Sequence, residues 1–120
     1  MNHFLYPYAD TREKATAQYG NIAIVTLIRM MKSNGADLSK MRAQIFGGAF
    51  NPKESNRNVG RENFKAARDI LNGYRIKIIS EDIGGELGRK VVFNTATCEI
   101  VILKVDRLRD SDWYPYRSER

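Results

Sequence analysis

The sequence predicts a single α/β domain in which a layered, mixed β-sheet packs against two main helices. Two segments repeat apolar residues at helical spacing, and several short segments alternate apolar with polar residues as half-buried strands do. The predicted order along the chain is strand, helix, strand, helix and three strands, which favours an α/β architecture. A length of 120 residues suits one domain.

The helices are predicted over residues 17–32 and 59–71, each with one apolar face. The apolar positions of the first helix are Ile24, Leu27, Ile28 and Met31. Those of the second helix are Phe64, Ala67 and Leu71. Gly35 suits the left-handed position that ends a helix, and Gly73 is expected just past the end of the second helix. We therefore expect each helix to bury one face.

Five segments are predicted as strands from their alternation and their β-branched residues. They are HFLYP at residues 3–7, MRAQIF at 41–46, RIKIIS at 75–80, KVVFN at 90–94 and EIVILK at 99–104. The first segment is interpreted as the end of a strand that leads into a turn. The last two segments are separated by a short turn around TAT, which predicts a hairpin.

Two glycine-rich stretches stand out. Gly47 and Gly48 follow a predicted buried strand, where the absence of a Cβ atom permits unusual dihedral angles and close approach of the backbone to another group. The stretch GGELGRKV at residues 84–91 resembles a phosphate-binding loop only superficially, because a strand follows it and Gly-Lys-Ser/Thr is missing. Both stretches are interpreted as tight turns at the edge of a sheet, and Gly47 and Gly48 form a candidate substrate-binding loop.

Composition excludes several classes of function. The 20 basic and 14 acidic residues give a net charge of +6, but the basic residues are dispersed, which argues against nucleic-acid binding. No apolar stretch is long enough to cross a bilayer, and we expect no membrane insertion. The single cysteine, Cys98, allows neither an internal disulfide nor a thiolate metal site, so we expect a cytoplasmic protein without metal or cofactor.

His3 and Cys98 are the side chains most suited to catalysis by their chemistry. His3 is the single histidine of the chain, and an imidazole accepts protons near neutral pH. The alternative is an ordinary exposed histidine near a terminus. Cys98 is interpreted as a small packed residue rather than a nucleophile, because no neighbour in the sequence supplies a base or a helix N-terminus to activate it.

Five segments in order resemble the bacterial chemoreceptor glutamine deamidases called CheD. They are HFLYP, YGNIAIVTLIRMMKSNGA, AQIFGGAF, NVGRENFKAARDIL and EDIGGELGRKVVFNTAT. The resemblance covers the chain from His3 to Lys104. It predicts a CheD-like deamidase domain over residues 1–104. Residues 105–120 are polar and charged, which predicts a surface tail that is either loose or docked on the domain.

The resemblance implies a cysteine hydrolase that converts glutamine side chains of methyl-accepting chemotaxis receptors to glutamate. His3 matches the family's catalytic histidine, because it precedes Phe-Leu-x-Pro. In the family, the nucleophilic cysteine lies in a Gly-Ser-Cys-like segment upstream of this histidine, with a supporting threonine further upstream. Here only Met1 and Asn2 precede His3. We therefore expect an N-terminally shortened member, in which Cys98 does not replace the family's nucleophile.

The implied partners are the cytoplasmic domains of chemotaxis receptors and the phosphatase CheC. Three functions stay open from the sequence. The first is a deamidase that is active in a longer form. The second is a non-enzymatic module that binds receptors or the phosphatase. The third is an unrelated basic domain that binds nucleic acid, which would leave the five ordered segments unexplained.

Overall fold

The computed structural model describes residues 1–106, which form two helices, four strands and one short 3₁₀ turn. The main elements are α1 Gly20–Ser33, β1 Arg42–Gly47, α2 Val59–Gly73, β2 Lys77–Ile83, β3 Gly88–Phe93 and β4 Ile100–Val105. The predicted α/β fold class is confirmed. Val105 of the predicted tail belongs to β4, and residues 107–120 lie outside the described part. Within residues 1–106, no helix combines the length and the apolar character needed to cross a membrane.

Strands β1 and β2 pair in parallel, and α2 forms the connection between them. The register runs from Arg42 opposite Lys77 to Gly47 opposite Ile83. It shifts between Ala43 and Gln44, where β2 carries one extra residue. A parallel pair requires a long crossover, which α2 supplies by packing its apolar face on the strands.

Strands β3 and β4 form the predicted antiparallel hairpin, with Phe93 opposite Ile100 at the turn. In this turn the Asn94 side-chain oxygen accepts hydrogen bonds from the N–H groups of Ala96 and Thr97, at 3.0 and 3.3 Å. The sequence predicts one mixed sheet, whereas the described strands form two separate two-stranded sheets. Strand β1 contacts β3 without a hydrogen-bonded ladder between them.

The hydrophobic core lies between the two helices and the parallel strands. Its buried members are Ile24, Ile28, Met41, Ala67, Leu71 and Ile76. The prediction that Met31 is buried is wrong, since 42% of this residue is exposed. Instead, the buried face of α1 is completed by Gly20 and Ala23, whose small size lets neighbouring segments approach the helix closely.

The predicted strand at residues 3–7 is also wrong. Its one ladder contact is an isolated parallel bridge between Tyr6 and Tyr19. The segment is instead hydrogen-bonded to the residues that open α1, so its backbone is paired without forming a strand.

The two helices end with the same hydrogen-bond pattern but with different residue types. Gly35 has the predicted left-handed conformation, with φ of 91°. Gly73, in contrast, remains inside α2, and the left-handed residue is Arg75 with φ of 57°. The Arg75 N–H donates to the Asn72 carbonyl at 3.0 Å, and the Ile76 N–H donates to the Leu71 carbonyl at 2.9 Å.

Replacing Arg75 by glycine is expected to raise the free energy of unfolding by about 0.5–1 kcal/mol, because the strain of a left-handed side-chain residue slightly exceeds the entropic cost of glycine. Urea denaturation measures the change. Arg29→Gly is the control, since it places glycine inside α1 and should lower the same quantity by about 1 kcal/mol. Equal destabilisation by both substitutions would contradict the assigned helix end.

Candidate functional site

Residues 3–7, here called the histidine segment because they include His3, are held against the residues before α1. The N–H groups of Leu5 and Tyr6 both donate to the Gln18 carbonyl, at 2.8 and 3.1 Å. The rings of Tyr6 and Tyr19 lie 5.4 Å apart, which adds an aromatic contact to this pairing. The histidine segment therefore has a defined backbone position although it is not a strand.

The same segment caps the N-terminus of α1. The first N–H groups of a helix have no partners inside the helix, and Tyr19 at the cap position forms no side-chain capping bond. The Gly20 N–H donates to the Tyr6 carbonyl at 2.7 Å, and the Asn21 N–H donates to the Pro7 carbonyl at 3.1 Å. The start of α1 and the histidine segment thus satisfy each other's polar groups.

His3 is exposed at the edge of an open groove of about 530 Å³. The groove is lined by His3, Leu5, Thr16, Ala17 and Gln18. The next residue, Phe4, packs against the core, and its ring lies so close to Gly20 that a Cβ atom there would be 2.8 Å from it. The anchored Phe4 therefore restrains the backbone from which His3 projects.

The groove supplies a proton acceptor but no thiol among its lining residues. Cys98 lies in the β3–β4 turn, where it is exposed and has φ of 60°. Within residues 1–106, no three His, Cys, Asp or Glu side chains come together as a metal site. The chemistry that this groove offers on its own is general base catalysis by imidazole.

The two glycine pairs meet at the carboxyl edge of the parallel sheet. Gly47 ends β1 and Gly48 follows it, whereas Gly84 and Gly85 follow β2, and all four have φ between 70° and 112°. The Gly84 N–H donates to the Gly47 carbonyl at 2.9 Å, and the Phe50 N–H donates to the Gly85 carbonyl at 2.9 Å. The two turns are therefore joined, which the sequence spacing alone did not predict.

The N-terminus of α2 packs directly on the turn after β1. A Cβ atom on Gly60 would collide with the carbonyl oxygens of Gly48 and Ala49. A shallow cavity of about 360 Å³ lies beside this contact. Its lining includes Gly48, Phe50, Asn58, Arg61, Phe64, Gly85 and Glu86. Of the predicted loop, Gly48 reaches this cavity, whereas Gly47 serves the contact between the two turns.

Arg89, which sequence reasoning missed, holds the turn after β2. Its side chain is 5% exposed, and Nη1 donates to the carbonyls of Gly84 and Leu87 at 2.6 and 2.9 Å. Nη2 donates to Asp82 Oδ1 at 3.0 Å, and Lys104 Nζ lies 3.3 Å from the same oxygen. The hydrogen bond from Arg89, with a smaller contribution from Lys104, lowers the pKa of Asp82.

Comparisons with known proteins find similar sequences over most of the chain. The family model for CheD chemotactic sensory transduction matches residues 6–104. A protein of Sulfurimonas denitrificans named probable chemoreceptor glutamine deamidase CheD is 37% identical over 111 residues, covering 89% of this chain and 70% of the relative. The chemoreceptor glutamine deamidase CheD of Thermotoga maritima is 30% identical over 105 residues, covering 88% of this chain and 67% of the relative.

The chain therefore belongs to the CheD family. It spans about two thirds of the length of these two relatives. A third relative, from Trichlorobacter lovleyi and also named probable chemoreceptor glutamine deamidase CheD, is 33% identical and is covered over 65% of its length. The roles of His3, Gly47 and Gly48 stay predictions.

Gly48→Ala is expected to lower the free energy of unfolding by roughly 2–4 kcal/mol, because left-handed strain adds to a collision. Its Cβ would lie 2.8 Å from both the Gly60 carbonyl oxygen and the Phe64 ring. Gly47→Ala should cost only about 1–2 kcal/mol, since its Cβ would meet no atom within 4 Å. Thermal melts measure both. Gly73→Ala, in α2, is the control and should be neutral or stabilising; equal losses at Gly47 and Gly48 would contradict the packing on Gly60.

Asp82→Asn is expected to lower stability at neutral pH and to have progressively less effect in acid. The folded-state pKa of Asp82 lies below its ordinary value of 3.8, so its ionised form contributes stability above that value. This contribution is lost as the pH falls through the lowered pKa. Urea denaturation of both proteins from pH 7 to pH 2 measures the difference. Asp69→Asn, which removes an exposed carboxylate of α2, controls for the loss of one negative charge. A difference that stays constant across this range would refute the assignment.

Proposed function

We propose that this chain takes part in the deamidation of glutamine side chains of chemotaxis receptors, with His3 as the general base. The match to the CheD family over residues 6–104 supports the reaction class. Relatives named chemoreceptor glutamine deamidase support the receptors as substrates. The observation that carries the role of His3 is its position at the mouth of an open groove, on a backbone anchored by Phe4.

In this reaction the imidazole of His3 accepts the proton of a cysteine thiol, and the thiolate attacks the carboxamide carbon of the substrate glutamine. The tetrahedral intermediate collapses as the protonated imidazole donates its proton to the departing nitrogen, which leaves as ammonia. Water, deprotonated by the same imidazole, then hydrolyses the thioester to glutamate and restores the thiol. A positioned general base of this kind typically contributes a factor of about 10²–10⁴ in rate.

The nucleophile in this proposal is not Cys98. That residue lies on the β3–β4 turn, whereas His3 lies in the groove formed with residues 16–18. The resemblance to the family assigns the nucleophile to a cysteine upstream of the histidine. The groove of His3 is the surface on which such a segment would place its thiol.

The proposed setting is the cytoplasm, where the cytoplasmic domains of the receptors are accessible. The phosphatase CheC stays a predicted partner. A non-enzymatic binding module is the second candidate function, and it is favoured by the groove of His3, whose lining residues include no thiol. Ammonia release separates the two functions.

The 120-residue chain is expected to release no ammonia above background from a receptor cytoplasmic fragment, because an imidazole alone provides no covalent route. Fusion behind a family segment that carries the upstream cysteine and threonine should produce activity. In the fusion, His3→Ala should lower the rate by about 100-fold or more, while Cys98→Ser should leave it within about twofold.

A coupled enzymatic assay for ammonia measures each variant under the same conditions. Ammonia release by the 120-residue chain that disappears in Cys98→Ser would overturn the assignment of the nucleophile. A correctly folded fusion that stays inactive while it binds the receptor fragment would favour the binding module instead.

A further inference from the structure

Asn63 is a polar residue in an otherwise apolar row of α2. The row at helical spacing consists of Asn63, Ala66, Ala67 and Ile70. Ala66 and Ala67 are 1% and 4% exposed, and Ile70 packs against the core. Asn63 itself is half-buried, and a partly buried carboxamide is favourable only where its polar atoms find partners.

That contact reaches the segment that carries His3. Asn63 Nδ2 donates a hydrogen bond of 2.9 Å to the Leu5 carbonyl, across 58 residues of sequence. A carbonyl accepts but does not donate, so this partner fixes the orientation of the amide group. The other amide atom, Oδ1, is buried and has no hydrogen-bond partner within residues 1–106. The same amide group thus combines a bond to Leu5 with a buried oxygen that finds no partner among residues 1–106.

The hydrogen bond from Asn63 connects Leu5 to a second helix. The Leu5 N–H donates to the Gln18 carbonyl, and the neighbouring peptide groups of the segment bond to Gly20 and Asn21 of α1. All of these partners lie at the start of α1. The Asn63 amide, in contrast, belongs to α2, the helix that connects the two parallel strands.

We propose that Asn63 is a positioning residue for His3. By holding the Leu5 carbonyl, it adds to the packing of Phe4 a bond that fixes the histidine segment relative to α2. The backbone from which the imidazole projects is then held at the groove. This inference rests on the proposed role of His3 as the base, but its test does not require activity.

The test uses the 120-residue chain, in which His3 gives the single histidine signal of an NMR spectrum. Asn63→Leu removes both the donor and the unpaired oxygen, so the fold should be retained. In this variant the imidazole ¹H–¹³C signal of His3 should change its chemical shift, and the backbone order parameters at His3 and Phe4 should fall below those of the wild type.

Asn34→Leu is the matched control. Its side chain makes the same kind of bond, from Nδ2 to the Met30 carbonyl at 2.8 Å, but at the far end of α1. It should leave the His3 signal and the order parameters unchanged. Asn63→Asp provides a second variant of the same size in which an oxygen replaces the donor, and it should reproduce the effect of Asn63→Leu.

A His3 signal and order parameters that match the wild type in folded Asn63→Leu or Asn63→Asp would overturn the proposal, as would an equal change in Asn34→Leu. These outcomes leave the deamidation proposal standing, because they concern only how His3 is held. Conversely, an inactive fusion protein would refute the proposed reaction without altering the NMR result.

Discussion

The parallel pairing of β1 with β2 is the constraint on which the rest of the structure depends. It requires a crossover connection, and α2 fills that role while burying Ala67 and Leu71 against the core. It also brings the ends of both strands to one edge, so that Gly47 and Gly84 can share a hydrogen bond of 2.9 Å. Gly84 is thereby held at the end of β1, and the Arg89 side chain donates to the carbonyl of this same residue.

The spacing of apolar residues predicted helices and strands correctly where the residues of one segment alone determine its structure. The spacing of Ile24 and Ile28 identified the buried face of α1, and Gly35 identified its end. The end of α2 was mispredicted because a tertiary requirement determines it. Ile76 must reach the core, where it is 4% exposed, and the left-handed turn therefore falls at Arg75 despite the side chain.

The candidate site was predictable only in part for the same reason. The resemblance to the CheD family pointed to His3, but its groove is formed with residues 16–18 through backbone bonds that no periodicity reports. Asn63 was missed because its partner Leu5 lies 58 residues away. Arg89 was missed although its partners lie within seven residues, because periodicity does not report the shape of the turn between β2 and β3. The available signals were modest: an arginine directly after Gly88, and a carboxamide in the apolar row that continues to Ala66.

The stretch NVGRENF at the start of α2 connects the two parts of the site. Asn58 caps the helix by accepting a 2.8 Å hydrogen bond from the Arg61 N–H. Two residues later Gly60 allows the turn after β1 to pack on the helix, and one turn beyond Gly60 the Asn63 side chain donates to the Leu5 carbonyl. A shift of this helical turn would therefore move the glycine edge and the histidine segment together. A cap, a missing Cβ and a carboxamide donor thus fall within six residues, and each makes a different contact that positions α2.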